Sequence, residues 1–432
     1  MPSDISRYTF DSKKHYSGVI EQQGRVRLDA DANEQLKINQ YRTHTETVDV
    51  IGKSGVPKGS NAFKISIDQG SFTIYKGRFY SGGLLCELED TINYSNQPYY
   101  PNPPYLKAPN SPPVQNPKLK LDNGTYIVYI DAWQREVSHL DDPDIQEVAL
   151  GEVDTTTRLQ TVWQVKLVQV ENNFKCNKTS IKWKKATKPS TGKLRVKTVD
   201  NATAVAPCTP FSSTGFRGLE NQLYRIEIQK SGSINNATYK WSRENGSVET
   251  LIYSVDGSTL KVQSTGKDDV LGFAAGQWCE IVNDYSTFHN IPYPLVKIKE
   301  VKNATKEILL DPSSSIPSFN DQEVFKLRRW DHQSDSNDGD IPLKTNWVDI
   351  EAGIQVKFDN GHYKTGDFWL VEARTLTNDI KLRSSDNGEA LGIQHQYAQL
   401  AVLKVNNGNL ILVDDCRSQF PPLTYIFSTD IG

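Results

Sequence analysis

The stretch QQGRVRLDADANEQ, residues 22–35, places Asp29, Asp31 and Glu34 within six positions. Three carboxylates this close could hold a divalent cation or supply an acid/base pair. Their spacing points elsewhere. With Asp31 as N-cap, Glu34 falls at N3, the capping-box arrangement with Asp in place of Ser or Thr. Acidic groups there also suit the positive end of a helix. Ca²⁺ or Mg²⁺ would take about six oxygens, and Arg25 and Arg27 lie just upstream to neutralise the group. The reading is a helix cap, Asp31 with Glu34.

A second acidic cluster, Asp141, Asp142, Asp144 and Glu147, has the grammar of a helical turn: Asp142 as N-cap and Pro143 at N1. His139 beside Asp141 resembles part of a catalytic pair, but sequence neighbours seldom orient each other so, and no nucleophile accompanies them. A third, WDHQSDSNDGD (330–340), offers Asp335, Asn337, Asp338 and Asp340 as weak calcium ligands. Its register departs from a calcium loop: Gly339 is not sixth from Asp335, and the twelfth position is Asn346 rather than Glu. A solvated loop and a weak Ca²⁺ site both stay open. No HExxH, Walker loop, GxGxxG or GxSxG occurs, and no histidine lies within four residues of another. No local motif therefore argues for enzymatic activity, and the residues designate no catalytic site and no cofactor.

The elements that position these residues follow from periodicity. From Leu28 to Ile51 there is no Pro or Gly, and Gly52 then supplies a C-terminal stop. Leu28, Ala32, Leu36, Tyr41, Thr45 and Val48 recur on one face, predicting a long helix with that face buried. Beyond it, short alternating runs such as GTYIVYIDAW (124–133), TVWQVKLVQV (161–170) and EVFKLRRW (323–330) read as strands. The proline-rich segment 93–122 cannot join a sheet interior. It is either a loop draped over its own domain or a patch touching a neighbouring subunit. Asn-Gly pairs at 360–361 and 407–408 sit between alternating runs and predict hairpins. The expected fold is mainly β with one long N-terminal helix and several short-stranded antiparallel sandwich- or barrel-like domains. We divide it as an arm and helix (1–55), a first β region (56–250) and a second (251–432) ending in Asn-Gly hairpins.

With 432 residues the chain has room for two or three domains of about 150 residues. A net charge of −3 without long one-sign runs argues against a nucleic-acid partner. No stretch approaches the roughly 20 apolar residues of a membrane helix, so no membrane insertion is expected. The N-terminus lacks the apolar segment of a secretory signal. Five cysteines without CxxC spacing suggest buried thiols rather than a disulfide framework.

Several blocks are too idiosyncratic to be generic β-structure. They include RYTFDSKKHYSGVIEQQGRVRLDADANEQ (7–35), YIVYIDAWQREVSHLDDPDIQEVALGEVDTTTRLQTVWQV (126–165), GFRGLENQLYRIEI with YKWSRENGSV (215–248), and GIQVKFDNGHYKTGDFWLVEART. In this order the chain resembles a bacterial family of uncharacterised phage-tail-like proteins found with contractile injection systems, the headless relatives of contractile phage tails. The resemblance runs from about Arg7 to Pro422. Its most specific residues are Gly24, Arg25, Asp29, Asp31, Asn33 and Glu34 in the first block, and Trp241, Arg243, Asn245 and Gly246 in the other. It implies a structural subunit in or around the baseplate, as a cage or fibre-linked layer. Such a chain is made in the bacterial cytoplasm without a signal peptide and assembled into a particle that can be released. Its implied partners are further copies of itself and baseplate or tail-fibre proteins. Aromatic side chains are enriched at interface cores, so Tyr8, Phe10 and Tyr16 of the arm, and Tyr99, Tyr100 and Tyr105 of the proline-rich segment, are candidate contacts. In YKWSRENGSV we expect a strand ending in an Asn-Gly turn, Trp241 buried and Arg243 pairing with Glu244 or a neighbour. Two other classes remain: a carbohydrate- or cell-surface-binding module using the eight tryptophans, and a metal-dependent hydrolase using an acidic cluster.

Overall fold

The computed structural model describes residues 3–68, 70–106, 118–176, 178–199, 215–292, 294–314, 316, 323–385 and 387–422. The expected helix spans Asp29–Ile51 and stops at Gly52, whose φ of 95° is open to glycine at no steric cost. Its start lies three residues before the position expected. Leu28 is the N-cap, with extended backbone and no side-chain cap bond. Asp31 is therefore inside the first turn, and the Asp31–Glu34 capping box is not formed. The buried-face expectation also fails: Ala30 and Ile38 are buried, whereas Leu28, Leu36 and Tyr41 are exposed. The body of the protein meets this helix over a small area, so most of its apolar positions have nothing to pack against.

The β-structure forms three cores nested in sequence. The first joins a sheet of Ser54–Pro57, Gly77–Ser81 and Leu84–Leu88 to a four-stranded sheet ordered Asn409–Asp415, Gln396–Asn406, Gly124–Val137, Arg158–Val170. The C-terminal strand Gln419–Phe420 returns to pair in parallel with Ser54–Pro57. Period-two alternation sorts the long central strand: Tyr126, Val128, Ile130 and Ala132 fill this core with Trp163, Phe63 and Phe79. Ile127, Tyr129 and Trp133 face the other side, in separate apolar clusters. The second core lies between a five-stranded sheet centred on Gln222–Lys230 and a three-stranded sheet centred on Ile354–Phe358, and is filled by Tyr224, Ile226, Trp369 and Phe358. The third is a closed six-stranded barrel running from Glu249–Asp256 to Phe325–Trp330 in sequence, packed with Leu260, Ile281, Val296 and Leu327. The barrel is inserted into the second core, and the second core into the first. The linear division at 250 thus gives way to nesting, because long-range strand pairing joins distant segments.

The Asn407–Gly408 hairpin forms, with Asn406 opposite Asn409 and positive φ at both turn residues. The one expected at 360–361 does not. Ile354–Phe358 pairs with Leu194–Thr198 and Val348–Glu351, and His362–Tyr363 pairs with Gly232–Ser233. Cys176 and Cys416 form a disulfide across 240 residues, which corrects the expectation of free thiols. Strand pairing, invisible in the cysteine spacing, brings them together. Cys86 and Cys279 are free and buried, and Cys208 lies outside the described residues. Among the described residues no helix is long and apolar enough to cross a membrane.

Candidate functional site

Each acidic cluster has members engaged by the fold's own groups. Asp29 accepts the Ser6 amide at 2.8 Å and the Ser6 hydroxyl at 2.7 Å. Burial pushes its carboxyl up, but the Ser6 bonds together with the helix's own first amides, Asp29 and Ala30, leave it lowered. Asp142 accepts from the Asp144 amide and opens the turn Pro143–Ile145, as its sequence implied, although the turn is a single 3₁₀ turn. Asp141 instead binds Lys326 at 2.5 Å, and His139 pairs with Asp154 at 3.3 Å. In the third cluster Lys230 bridges Asp338 and Asp340, at 2.9 and 2.8 Å, while Asp335 and Asn337 face solvent. A lysine ammonium thus stands between two of the carboxylates a calcium ion would need, and the weak Ca²⁺ site is not assembled. Among the described residues no group of three His, Cys, Asp or Glu side chains is placed to hold a metal.

What the motif residues build is a clasp. Residues 3–10 run as a strap between the helix and the β-structure. The Asn245 amide donates to the Ser3 carbonyl at 2.8 Å, and the Ser3 hydroxyl reaches Glu136 and Thr157. Asp29 holds Ser6 from the helix side, Arg374 donates to the Ser6 carbonyl, and Glu372 accepts the Tyr8 amide at 2.8 Å. The Phe10 ring then rests 5.9 Å from Tyr41 on the helix. Asp29 and Asn245, from motif blocks more than 200 residues apart, therefore grip the same eight residues. Asn245 can do so because it and Gly246 form a turn with φ of 53° and 68°, a conformation Asn and Gly tolerate.

The rest of YKWSRENGSV ties the second core to the barrel. Trp241 is buried, as expected. Arg243 forks onto Glu351, with both bonds at 2.6 Å, and Tyr224 donates to the same carboxylate. Arg243 thus pairs with Glu351 rather than Glu244, whose partner is Arg329. Asp331 accepts from the Arg243 amide and the Ser242 hydroxyl.

A cavity of about 560 Å³ lies under the strap, reached past Tyr8, Phe10 and Lys37. Its floor is a lattice of buried charges. Arg225 binds Glu227 at 2.6 Å, Lys240 bridges Glu227 and Glu280 at 3.3 and 2.7 Å, and Arg328 binds Glu249. Burial pushes the Glu227 carboxyl up, yet Arg225, Lys240 and Arg328 together hold it below its usual range. These three cations meet three carboxylates, Glu227 and Glu280 in the lining and Glu249 beyond it, so the lattice is internally compensated. The arrangement fastens the second core to the barrel.

One pairing escaped the sequence. His395 Nδ1 lies 2.6 Å from Asp131, whose other oxygen accepts from Lys166 at 2.7 Å. The imidazole stacks between Trp133 and Tyr397, at 4.9 and 5.9 Å. Burial pushes Asp131 up, but Lys166 and His395 bring it below the ordinary carboxylate value. The geometry orients an imidazole, as in a base dyad. No Ser, Thr or Cys side chain is hydrogen-bonded to His395 among the described residues. No local motif could reveal this pair, because it rests on Tyr397 aligning opposite Asp131 in neighbouring strands.

Of the candidate contact aromatics, Tyr16 and Tyr105 are exposed. Tyr8 is half-buried in the strap, where burial pushes its phenol up. Phe10 is half-buried against the helix. Tyr99 and Tyr100 are corrected: Tyr99 packs on Trp163 and Phe288, and Tyr100 on His289. The proline-rich segment turns these two inward, Tyr99 between Trp163 of the first core and Phe288 of the barrel and Tyr100 against the barrel's His289, and its residues 107–117 lie outside those described. No curated protein matches the chain, and no solved structure does. A model of a family of unknown function (DUF6519) matches residues 1–206 and 185–398, and the chain belongs to that family.

Proposed function

We propose that this chain is a structural subunit of a contractile injection particle, placed in or around the baseplate as a cage or fibre-linked layer, and that it is not an enzyme. The observation that carries this reading is the bare apolar surface of the arm and helix. Tyr16 is 58% exposed, Ile20 89% and Val26 83% in the arm, and Leu36 and Tyr41 on the helix are exposed as well. Apolar side chains grouped on an element with little core of its own mark an interaction surface. The residues that carry the family resemblance support the same reading. Asp29, Arg243 and Asn245 are engaged in holding the strap and joining the cores, which is work on shape rather than on a substrate.

The surface-binding alternative draws less support. Trp133, Trp163, Trp241, Trp278, Trp330 and Trp369 are buried, and Trp183 and Trp347 are half-buried, so little indole is presented for sugar stacking. Light scattering behind size-exclusion chromatography tests the reading. A homo-oligomer is expected, and Tyr41→Ser with Ile20→Ser should shift it towards smaller species. A wild-type chain that stays monomeric at every concentration contradicts it.

A further inference from the structure

The overall charge of −3 conceals two opposed patches on one hairpin. The strands Gly124–Val137 and Arg158–Val170 pair along their length, and the 13-residue partner strand spans roughly 40 Å at about 3.3 Å per residue. The connection at one end, residues 138–157, holds six Asp/Glu and no Lys or Arg. Asp142, Asp144, Glu147, Glu152 and Asp154 are exposed there, and around them Val148 is 76% exposed and Leu150 62%. At the other end the chain leaves Val170 and forms the short helix Ile181–Ala186, whose Trp183 packs on Tyr129 at 4.9 Å. Residues 175–188 contain six lysines and no acid. Lys175, Lys178, Lys182, Lys184, Lys185 and Lys188 are exposed, and none forms an ion pair among the described residues. Ile181, in their midst, is 81% exposed.

We propose that the acidic, apolar connection of one copy docks on the lysine platform of the next, so that copies join head to tail. The inference rests on the reading of the chain as a self-assembling subunit and names the contact. Each patch pairs exposed apolar side chains with one sign of charge, and the signs are opposite. The patches lie at opposite ends of a rigid hairpin, so they cannot satisfy each other within one copy. A contact between two different patches is heterologous, and repeating it closes a ring when the rotation per copy divides a full turn. Opposed potentials would steer the encounter and fix its register, and juxtaposed like charges would penalise the reverse orientation.

Two charge reversals test this: Lys182→Glu with Lys185→Glu, and Asp144→Lys with Glu152→Lys. All four side chains are exposed, so circular dichroism should be unchanged. Each variant alone is expected to need an at least about tenfold higher concentration to assemble. An equimolar mixture should recover the wild-type mass, because both contacts between unlike variants are again attractive. Ile181→Ser supplies a charge-independent probe and should also weaken assembly. Reversal variants that assemble like the wild type, or a mixture that stays dissociated, overturn the contact while leaving self-assembly standing. Loss confined to the lysine variant likewise overturns it, since the platform would then hold some other surface. A monomeric wild type removes both the contact and the reading beneath it.

Discussion

Lys240 is enclosed by Glu227 and Glu280 with its ammonium 4.4 Å above the Trp330 ring. Removing one member of such a buried set leaves uncompensated charge, at a cost of about 3–5 kcal/mol. Lys240→Met should therefore lower stability by that amount in denaturant titration. His332 is buried with its Nε2 2.7 Å from the Gly339 carbonyl. Burial pulls its pKa down to about 4. The unfolded chain, with an ordinary histidine value of about 6.5, takes up this proton first as pH falls. The contribution is complete above about pH 6.5 and is lost between there and about pH 4, roughly 3 kcal/mol in all. Thermal midpoints across this range should show the slope, and His332→Gln should flatten it. Little of this was legible in the sequence. Asp142 and Pro143 announced their turn because cap chemistry is local. Arg243–Glu351 and His395–Asp131 depend on partners more than 100 residues away, and spacing carries no trace of them.

The body of the helix, its stop at Gly52 and the main strand runs were legible because periods and stops are local properties, although the helix begins three residues early and the 360–361 hairpin does not form. What each face packs against was not. The apolar stripe of Asp29–Ile51 predicted a core contact, yet the strap takes the place of a core and leaves most of the stripe bare. The strap itself is held by side chains from both motif blocks. Asn245→Gly keeps the positive-φ turn while removing the amide that grips Ser3, so the fold should persist. Cleavage of the first ten residues by a dilute protease should accelerate, about fivefold for a bond worth about 1 kcal/mol. An unchanged cleavage rate would mean that Asp29, Arg374 and Glu372 suffice to hold the strap.

At the scale of the whole molecule, three cores nest because the first and last thirds of the chain share a sheet. The Cys176–Cys416 disulfide closes that arrangement across 240 residues. Cys416→Ser, or added reductant, should cost about 2–4 kcal/mol, read as a lower thermal midpoint. The nesting was not legible, since strand order between distant segments leaves no local signature. The opposed charges of the long hairpin were hidden by the near-neutral total. The central claim, that this molecule is a building block of a contractile injection particle, is tested most directly by isolating such particles from cells carrying a tagged copy of the chain. Quantitative mass spectrometry should find it sedimenting with sheath and tube proteins in several copies per particle. Recovery of the chain only as free protein, with intact particles lacking it, would contradict the account.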